Sequence, residues 1–178
     1  MLVWTYPWRR PRLLTAAPNR SLAPSGSGPC LRLPIDVVVD PQHVRNIPDD
    51  LMLACARTDG VVNINGVGMF LGAGANGIGD NSTETLLRHI EYAVQLVGPR
   101  HVGLGLDYVF DLSELEEHVR QYPEKYLVEL RKPGSYVQIE PERFPIIAER
   151  LLQKGYSDAD VQGIMGHNNL RVARQVWR

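Results

Sequence analysis

The stretch HVGLGLDYVFD, residues 101–111, places a carboxylate directly after a short apolar run. Val102 to Leu106 has the length of a fully buried strand, and Asp107 follows it immediately. Burying an ionised carboxylate costs several kcal/mol unless it is paired, hydrogen-bonded or bound to a metal ion. Asp107 is therefore a candidate functional residue, and the alternative is that its side chain caps the turn that follows.

Helical and strand patterns alternate on both sides of this stretch. Before it, the predicted elements are a helix opening at Pro48 and ending by Gly60, a strand over Val61–Asn65, and a helix over Thr85–Val97 capped by Ser82 or Thr83. After it, they are a long loop, a helix through Leu152, and two short helices beginning after Ser157. Such repeated units predict an α/β fold with a parallel sheet, in which functional sites gather at the carboxyl ends of the strands.

The composition limits the class of protein. The 178 residues are 44% hydrophobic and 22% charged, which suffices for one domain with a hydrophobic core. The formal net charge of -1 argues against a nucleic-acid partner held by bulk electrostatics. No apolar run reaches the roughly 18 residues of a membrane span, and Cys30 and Cys55 fit no paired spacing. We expect a cytoplasmic protein that binds neither nucleic acid nor membrane.

Residues 1–42 differ in composition from everything after them. The first 41 residues hold seven of the 13 prolines, and the first 34 contain five arginines and no acidic residue. No helical or strand period survives that proline density. We therefore expect a disordered Pro/Arg-rich leader over residues 1–42 and a single structured part over residues 43–178.

A glycine motif offers one alternative function. Gly72, Gly74 and Gly77 in GAGANG match the spacing of a dinucleotide-binding fingerprint. That fingerprint needs a tight turn from a strand into a helix, which aims backbone N–H groups at a pyrophosphate. Here a polar stretch separates the glycines from the next predicted helix. A nucleotide-binding domain is therefore the weaker alternative, and a loop over a site or surface is the simpler interpretation.

The histidines and one arginine complete the set of candidate residues. The histidines form no HxH or HxxxH pair that would indicate a metal site, and they are His43, His89, His101, His118 and His167. His89 is expected on the polar face of its helix. Arg45, just before a predicted helix, could hold a carboxylate in a bidentate pair. Its alternative role is a local salt bridge to Asp49 or Asp50.

Four stretches together resemble the membrane dipeptidase (renal dipeptidase) family of zinc metallopeptidases, in its bacterial form. They are HVRNIPDD (43–50), DGVVNINGVGMFLG (59–72), HIEYAVQLVGPRHVGLGLDYVFD (89–111) and LLQKGYSDADVQGIMGHNNLRVARQVW (151–177). The resemblance implies the C-terminal portion of a (β/α)8 TIM-like barrel, with two zinc ions and dipeptide hydrolysis in complete members. It also implies that Asp107 transfers protons beside the metals and that Arg45 binds the substrate carboxylate.

The zinc ligands that the resemblance implies would lie upstream of Arg45. They are an N-terminal His-x-Asp, a bridging glutamate and two later histidines, whereas the chain offers only His43 there, which matches no ligand position. We therefore expect that this chain binds no zinc and is a truncated, incomplete barrel that is inactive alone. The alternative is a non-catalytic half-barrel that associates with another chain, including a second copy of itself.

A back-translation suggests an origin for the leader. Residues 4–7, Trp-Thr-Tyr-Pro, require the codons TGG ACN TAY CCN, which permit Asp-Leu-Ser when translated two bases later. In the family that the chain resembles, those residues precede a zinc-binding histidine. We hypothesise that residues 1–42 are a frame-shifted translation of a barrel segment, which sequencing of the gene would test.

Overall fold

The structure is a computed structural model that describes residues 46–72, 79–126, 128–131 and 136–177. Its strands are β1 (Val62–Ile64) and β2 (Val102–Leu104). Its α-helices are α1 (Asp49–Arg57), α2 (Gly68–Leu71), α3 (Thr83–Val97), α4 (Leu112–Gln121), α5 (Phe144–Gln153), α6 (Asp158–Gln162) and α7 (Asn168–Val176). The fold class is α/β, with helices in the majority. The predicted leader and its boundary lie outside the described residues.

The two strands pair in parallel, with Val62 opposite Val102 and Ile64 opposite Leu104. Parallel neighbours need a crossover connection, which here contains helix α3. The predicted parallel pairing is confirmed, although each strand is shorter than the sequence suggests. Because the strands are parallel, both begin at the same end of the sheet, termed the amino end below, and both finish at the opposite end, termed the carboxyl end.

The helices bury their apolar faces against this sheet. Helix α3 contributes the most apolar side chains to the core, and those that are fully buried are Leu86, Leu87, Ile90 and Ala93. The other core residues on the α-helices include Met52 and Cys55 of α1, Leu71 of α2, Ile147 and Leu151 of α5, and Val161 of α6. Each fully buried Leu, Ile or Met contributes about 1.5–3 kcal/mol. This burial, more than the short strand ladder, stabilises the described part of the chain.

Helix α3 ends where the sequence indicates and begins two residues earlier, at Thr83, with Ser82 as the cap. Ser82 Oγ accepts a hydrogen bond from the backbone N–H of Thr85 at 3.2 Å, so Ser82 is the N-cap. Asp80 accepts from the N–H of Ser82 at 2.8 Å and from the Thr85 hydroxyl at 2.5 Å. At the other end Gly98 has a φ angle of 83°, which favours glycine.

His89 lies in the core, and the expectation of a polar helix face at this position is wrong. Its side chain is 2% exposed, and its Nε2 lies 2.9 Å from the carbonyl oxygen of Leu71. His89 follows Leu86 by three residues and therefore shares the buried face of α3. The contact ties α3 to the end of α2 and satisfies a polar ring atom in an apolar setting.

The expected long loop after Asp107 contains helix α4, so that expectation is also wrong. Asp111 caps this helix by accepting from the backbone N–H groups of Ser113 at 3.0 Å and Glu114 at 3.4 Å. The hydrogen bonds from Ser113 and Glu114 hold the pKa of Asp111 below its ordinary value. Val119 is the one buried residue of α4. A helix with a single buried position shows almost no apolar periodicity, so the sequence gives little sign of it.

The amino end of the sheet is closed by a polar network. Arg171 of α7 donates to the carbonyl oxygens of Asp59 at 2.8 Å and Arg100 at 3.1 Å. It also pairs with the Asp59 carboxylate at 2.8 Å, which Arg100 contacts from a second side at 3.2 Å. Asn168 donates to the carbonyl oxygens of Pro99 and Val102, both at 2.8 Å. Helix α7 is thus bound to the chain entering both strands.

Close packing fixes one glycine in β2. A Cβ atom added to Gly103 would collide with Asn63 Oδ1 and lie 2.8 Å from Asn169 Nδ2. Those two amide groups are hydrogen-bonded to each other at 2.9 Å. Glycine at this position therefore allows α7 to approach the sheet closely enough for the bond to form.

No helix within the described residues is long and apolar enough to cross a membrane.

Candidate active site

Asp107 stands at the carboxyl end of β2, where the chain changes from buried to exposed within one residue. Leu106 is buried and Asp107 is exposed. Among the described residues no side chain pairs with or hydrogen-bonds the Asp107 carboxylate. The desolvation penalty anticipated from the sequence is therefore absent here, because the strand delivers the carboxylate to the surface. The alternative capping role belongs to Asp111, four residues further on.

The backbone around Asp107 is held in an unusual conformation. Its φ angle is +55°, in the left-handed region that side chains with a Cβ seldom adopt. Immediately before it, Gly105 donates to Ile64 at 3.0 Å, and Gly66 donates to the carbonyl oxygen of Leu106 at 3.2 Å. These bonds continue the pairing of the strands up to the residue preceding Asp107. The direction of the Asp107 side chain is thus set by a well-fixed main chain.

The segment that follows β1 is equally constrained. Asn65 is buried, and its Oδ1 accepts from the N–H of Val67 at 2.6 Å. A Cβ atom added to Gly66 would lie 2.9 Å from Leu106 Cδ2 and 3.0 Å from the Leu106 carbonyl oxygen. Glycine at position 66 therefore lets the two strand ends come together beneath Asp107.

A third segment, residues 136–139, joins the two strand ends. Ile139 donates to the carbonyl oxygen of Gly66 at 2.8 Å, and Gly68 donates to that of Val137 at 2.8 Å. The Tyr136 hydroxyl lies 3.5 Å from the carbonyl oxygen of Asp107. Sequence reasoning missed this segment. Its signal is weak, since YVQIE is a short alternating stretch that forms one isolated bridge in place of a strand.

Within that segment Gln138 contacts the loop after Asp107. Its side-chain amide donates to the carbonyl oxygen of Val109 at 2.8 Å and accepts from the N–H of Val109 at 2.9 Å. Gln138 is 7% exposed. Beyond this pairing the loop reaches the surface: Phe110 is 88% exposed and packs edge-on against Tyr108, with ring centroids 4.9 Å apart.

The structure describes only some of the other candidates from the sequence. Arg45, His43, Gly74 and Gly77 lie outside the described residues. Gly72 is described, with a φ angle of 131°, but helix α2 separates it from β1. The strand-to-helix turn of a dinucleotide site is therefore not formed at Gly72.

The histidines within the described residues have separate surroundings. His101 Nδ1 lies 2.9 Å from the carbonyl oxygen of Gly60, at the amino end of the sheet. His118 Nδ1 lies 2.5 Å from the Tyr126 hydroxyl, and His167 is exposed. No group of three His, Cys, Asp or Glu side chains in the described ranges could hold a metal ion. The described residues therefore do not fit a metal centre on their own.

Comparison with known proteins assigns the family. Residues 39–140 match the sequence profile of the membrane dipeptidase family, peptidase family M19. This segment covers more than half of the chain and contains both Arg45 and Asp107. The chain belongs to the membrane dipeptidase family. The resemblance inferred from the four sequence stretches is thereby confirmed.

Relatives within the curated proteins include named dipeptidases. The chain is 31% identical over 137 residues to dipeptidase aclJ of Aspergillus oryzae, an alignment that covers 75% of this chain and 26% of that protein. It is 28% identical over 134 residues to an uncharacterised protein of Klebsiella pneumoniae, covering 75% of this chain and 42% of that one. The chain thus spans less than half the length of these relatives.

Solved structures show the same partial overlap. An amidohydrolase from Pseudomonas aeruginosa superposes with a TM-score of 0.61 and 28% identity, over 77% of this chain and 42% of that one. The probable dipeptidase PvdM from the same organism superposes with a TM-score of 0.57 and 17% identity, over 84% of this chain and 45% of that one. These neighbours support an α/β metallohydrolase fold.

Proposed function

We propose that this chain carries the proton-transfer and substrate-binding part of a zinc-dependent dipeptidase. The observation that carries the proposal is the position of Asp107, an exposed carboxylate that lies at the carboxyl end of a parallel strand and has no partner among the described residues. It lies inside the segment that matches the dipeptidase family. Sites in parallel α/β folds are built at this end of the strands.

Asp107 is the proposed catalytic residue. An accessible carboxylate can accept a proton from the water that attacks the peptide carbonyl carbon, and it can return that proton to the leaving amine nitrogen. A carboxylate already occupied by arginines would be a poorer base. The absence of a described partner for Asp107 supports this role.

Arg45 is the proposed clamp for the terminal carboxylate of the dipeptide. A guanidinium group offers two parallel N–H donors that match the two oxygens of a carboxylate. Holding the substrate at its C-terminus would orient the scissile carbonyl carbon toward Asp107. The substrate class is therefore a dipeptide with a free terminal carboxylate.

We also propose that the described elements are the C-terminal portion of a TIM-like barrel. Support comes from the parallel pair of strands, the helical crossover and the superposition on a chain of which the matched part covers 42%. When bound, zinc would polarise the scissile carbonyl and lower the pKa of the attacking water. Because the chain lacks the His-x-Asp and the later histidines that the family resemblance implies upstream of Arg45, residues 1–178 alone are expected to hydrolyse no dipeptide.

The test uses dipeptidase aclJ, whose alignment spans three quarters of this chain. Asparagine at the position matching Asp107 should lower kcat by about 10²–10⁴-fold, because an amide cannot accept the proton. Bound metal and KM should change little. Alanine at the position matching Arg45 should raise KM with a smaller effect on kcat, because it removes substrate binding.

Two controls complete the experiment. Asp→Asn at an exposed position of the same relative, away from the strand ends, should leave kcat within about twofold. Purified residues 1–178 should release no amino acids from dipeptides with or without added zinc. An unchanged kcat in the Asp107-matched variant would refute the catalytic role, and zinc-dependent hydrolysis by residues 1–178 would refute the inactivity of the isolated chain.

A second candidate is a non-catalytic chain that associates with another copy or with another protein. It is favoured by exposed apolar side chains on α7 and directly after it, where Leu170 is 50% and Trp177 is 77% exposed. Light scattering during size-exclusion chromatography tests it. A monomer over a range of concentrations would contradict self-association.

A further inference from the structure

We propose that Gln138 is a positioning residue that holds the main chain on which Asp107 is carried. The inference rests on the role of Asp107 proposed above and extends it to a residue 31 positions further along the chain. Gln138 would act through the backbone of Val109, without contact to substrate.

The contact between Gln138 and Val109 uses every backbone polar group that Val109 has. The amide nitrogen of Gln138 donates to the Val109 carbonyl oxygen at 2.8 Å, and the amide oxygen accepts from the Val109 N–H at 2.9 Å. The pair therefore replaces the bonds that a neighbouring strand would make. Only a side chain with a donor and an acceptor on one planar group can make both bonds at once.

Gln138 is itself fixed from two other directions. Its carbonyl oxygen accepts from Asn81 Nδ2 at 3.0 Å, just before α3. Its backbone forms an antiparallel bridge with Val67, after β1. The side chain is 7% exposed, so water competes little for its bonds. Gln138 thus connects the loop after β2 to the chain following β1 and to the entry of α3.

The loop needs such an anchor because of what lies on either side of Val109. Asp107, two residues before, has a φ angle of +55°, which persists only where the surroundings enforce it. Its exposed carboxylate makes no described contact that could supply this restraint. Phe110, directly after Val109, is 88% exposed. The backbone bonds of Gly105 and Gly66 fix the chain before Asp107, and the Gln138 pair fixes it afterwards.

The experiment uses residues 1–178 and requires no enzymatic activity. Gln138→Met keeps the length of the side chain and removes both bonds. Gln138→Glu keeps the acceptor for the Val109 N–H, and its protonated form also restores a donor. Gln162→Met, on an exposed helical position, is the matched control. Site-resolved hydrogen exchange reports the Val109 amide, and the three-bond coupling between the amide and α protons of Asp107 reports its φ angle.

The expected result is local. In Gln138→Met the Val109 amide should exchange about tenfold faster, and the coupling of Asp107 should change, while the Gly105 amide keeps its protection. In Gln138→Glu the protection of Val109 should be partly retained and should increase as the new carboxyl group is protonated at lower pH. Gln162→Met should match the wild type.

Three results would overturn the proposal. They are exchange at Val109 within about twofold of the wild type in Gln138→Met, loss of protection with an unchanged Asp107 coupling, and a Gln138→Glu variant that behaves as Gln138→Met at every pH. Failure of the proposed catalytic role is separate, because it is measured by kcat in the Asp107-matched variant of the relative. An unchanged kcat in that variant would refute the catalytic role of Asp107 and leave the positioning of its loop by Gln138 intact.

Discussion

Asp59 and Asp107 share a backbone conformation and differ in what their carboxylates contact. Within the described residues they are the non-glycine positions with positive φ angles, 57° and 55°. Asp59 lies at the amino end of the sheet, where Arg100 and Arg171 bind its carboxylate. Asp107 lies at the carboxyl end, and no described residue binds its carboxylate. The same residue in the same conformation is paired at one end and accessible at the other.

The difference in carboxylate contacts indicates that the amino end of the sheet stabilises the fold and that the carboxyl end is the proposed site of reaction. A left-handed conformation costs an ordinary L-residue about 1–2 kcal/mol, and aspartate less because its side chain can bond locally. At the amino end, ion pairs and carbonyl contacts from α7 offset that cost. At the carboxyl end the bonds seen among the described residues are to the backbone around Asp107, which leaves its carboxylate available. Parallel α/β folds commonly divide stability and chemistry in this way.

The largest expected effect on stability is at the amino end. Arg171→Ala should lower the free energy of unfolding by about 2 kcal/mol, because it leaves two carbonyl oxygens without their donor and removes one of the two arginines that bind the Asp59 carboxylate. Arg171→Lys should recover only part of this loss, since an ammonium cannot reproduce the fork of a guanidinium. Urea unfolding followed by circular dichroism measures both variants.

The control for that prediction is Arg120→Ala. Arg120 pairs with Glu117 on the exposed face of α4, and exposed pairs contribute between zero and about 1 kcal/mol. A loss in Arg171→Ala no larger than in Arg120→Ala would mean that the amino end is not a structural centre. The proposed contrast between a structural Asp59 and an accessible Asp107 would then be wrong for Asp59.

A smaller effect comes from substituting the two aspartates by glycine. Asp59→Gly should lower the free energy of unfolding by about 1 kcal/mol, because relief of the backbone does not compensate for the lost ion pairs. Asp107→Gly should raise it by about 0.5 kcal/mol, because the backbone is relieved and no contact with a described side chain is lost. Thermal and urea unfolding of the two variants should therefore shift in opposite directions.

Asparagine at each position serves as the control, because it tolerates the left-handed region. Asp107→Asn should unfold as the wild type does, and Asp59→Asn should lose only the ion pairs. Destabilisation of Asp107→Gly comparable with that of Asp59→Gly would show that the Asp107 side chain has a structural partner.

The smallest expected effect is on the pH dependence of stability. The hydrogen bond from Arg100, with the nearby charge of Arg171, holds the pKa of Asp59 below its ordinary value of 3.8, against the opposing influence of burial. The contribution of Asp59 is therefore fully present above its unfolded pKa and is lost as pH falls through its folded pKa.

The difference in unfolding free energy between wild type and Asp59→Asn should accordingly stay constant from about pH 7 to pH 5 and shrink below about pH 4. Urea unfolding at a series of pH values measures it, and added salt should reduce it by screening. A difference that grows on acidification would have the wrong sign for an ion-paired carboxylate.

Local signals made part of this structure predictable. Ser82 and Ser157 both cap helices by accepting from the backbone N–H of the third helical residue, as their positions before apolar periods indicate. Gly98 ends α3 with a positive φ angle. The parallel pairing followed from alternating units, and the position of Asp107 at a strand end followed from the apolar run before it.

Contacts distant in sequence made the rest unpredictable. His89 was assigned to a polar face from its chemistry, although its spacing from Leu86 placed it on the buried one. Helix α4 has almost no buried residues, and only the cap at Asp111 followed by Glu114 could have indicated it. Gln138 carries no local signal, because its partners at Asn81 and Val109 lie 57 and 29 residues away.

Helix α7 also governs when the fold is completed. Arg171 and Asp59 are separated by 112 residues along the chain, and Asn168 and Val102 by 66. Closing such long loops is slow and entropically unfavourable compared with forming α3 between its own strands. The contacts of α7 are therefore expected to form after the rate-limiting barrier to folding. Weakening them should accelerate unfolding and leave the folding rate nearly unchanged, so the lifetime of the native state is set by a helix far from Asp107.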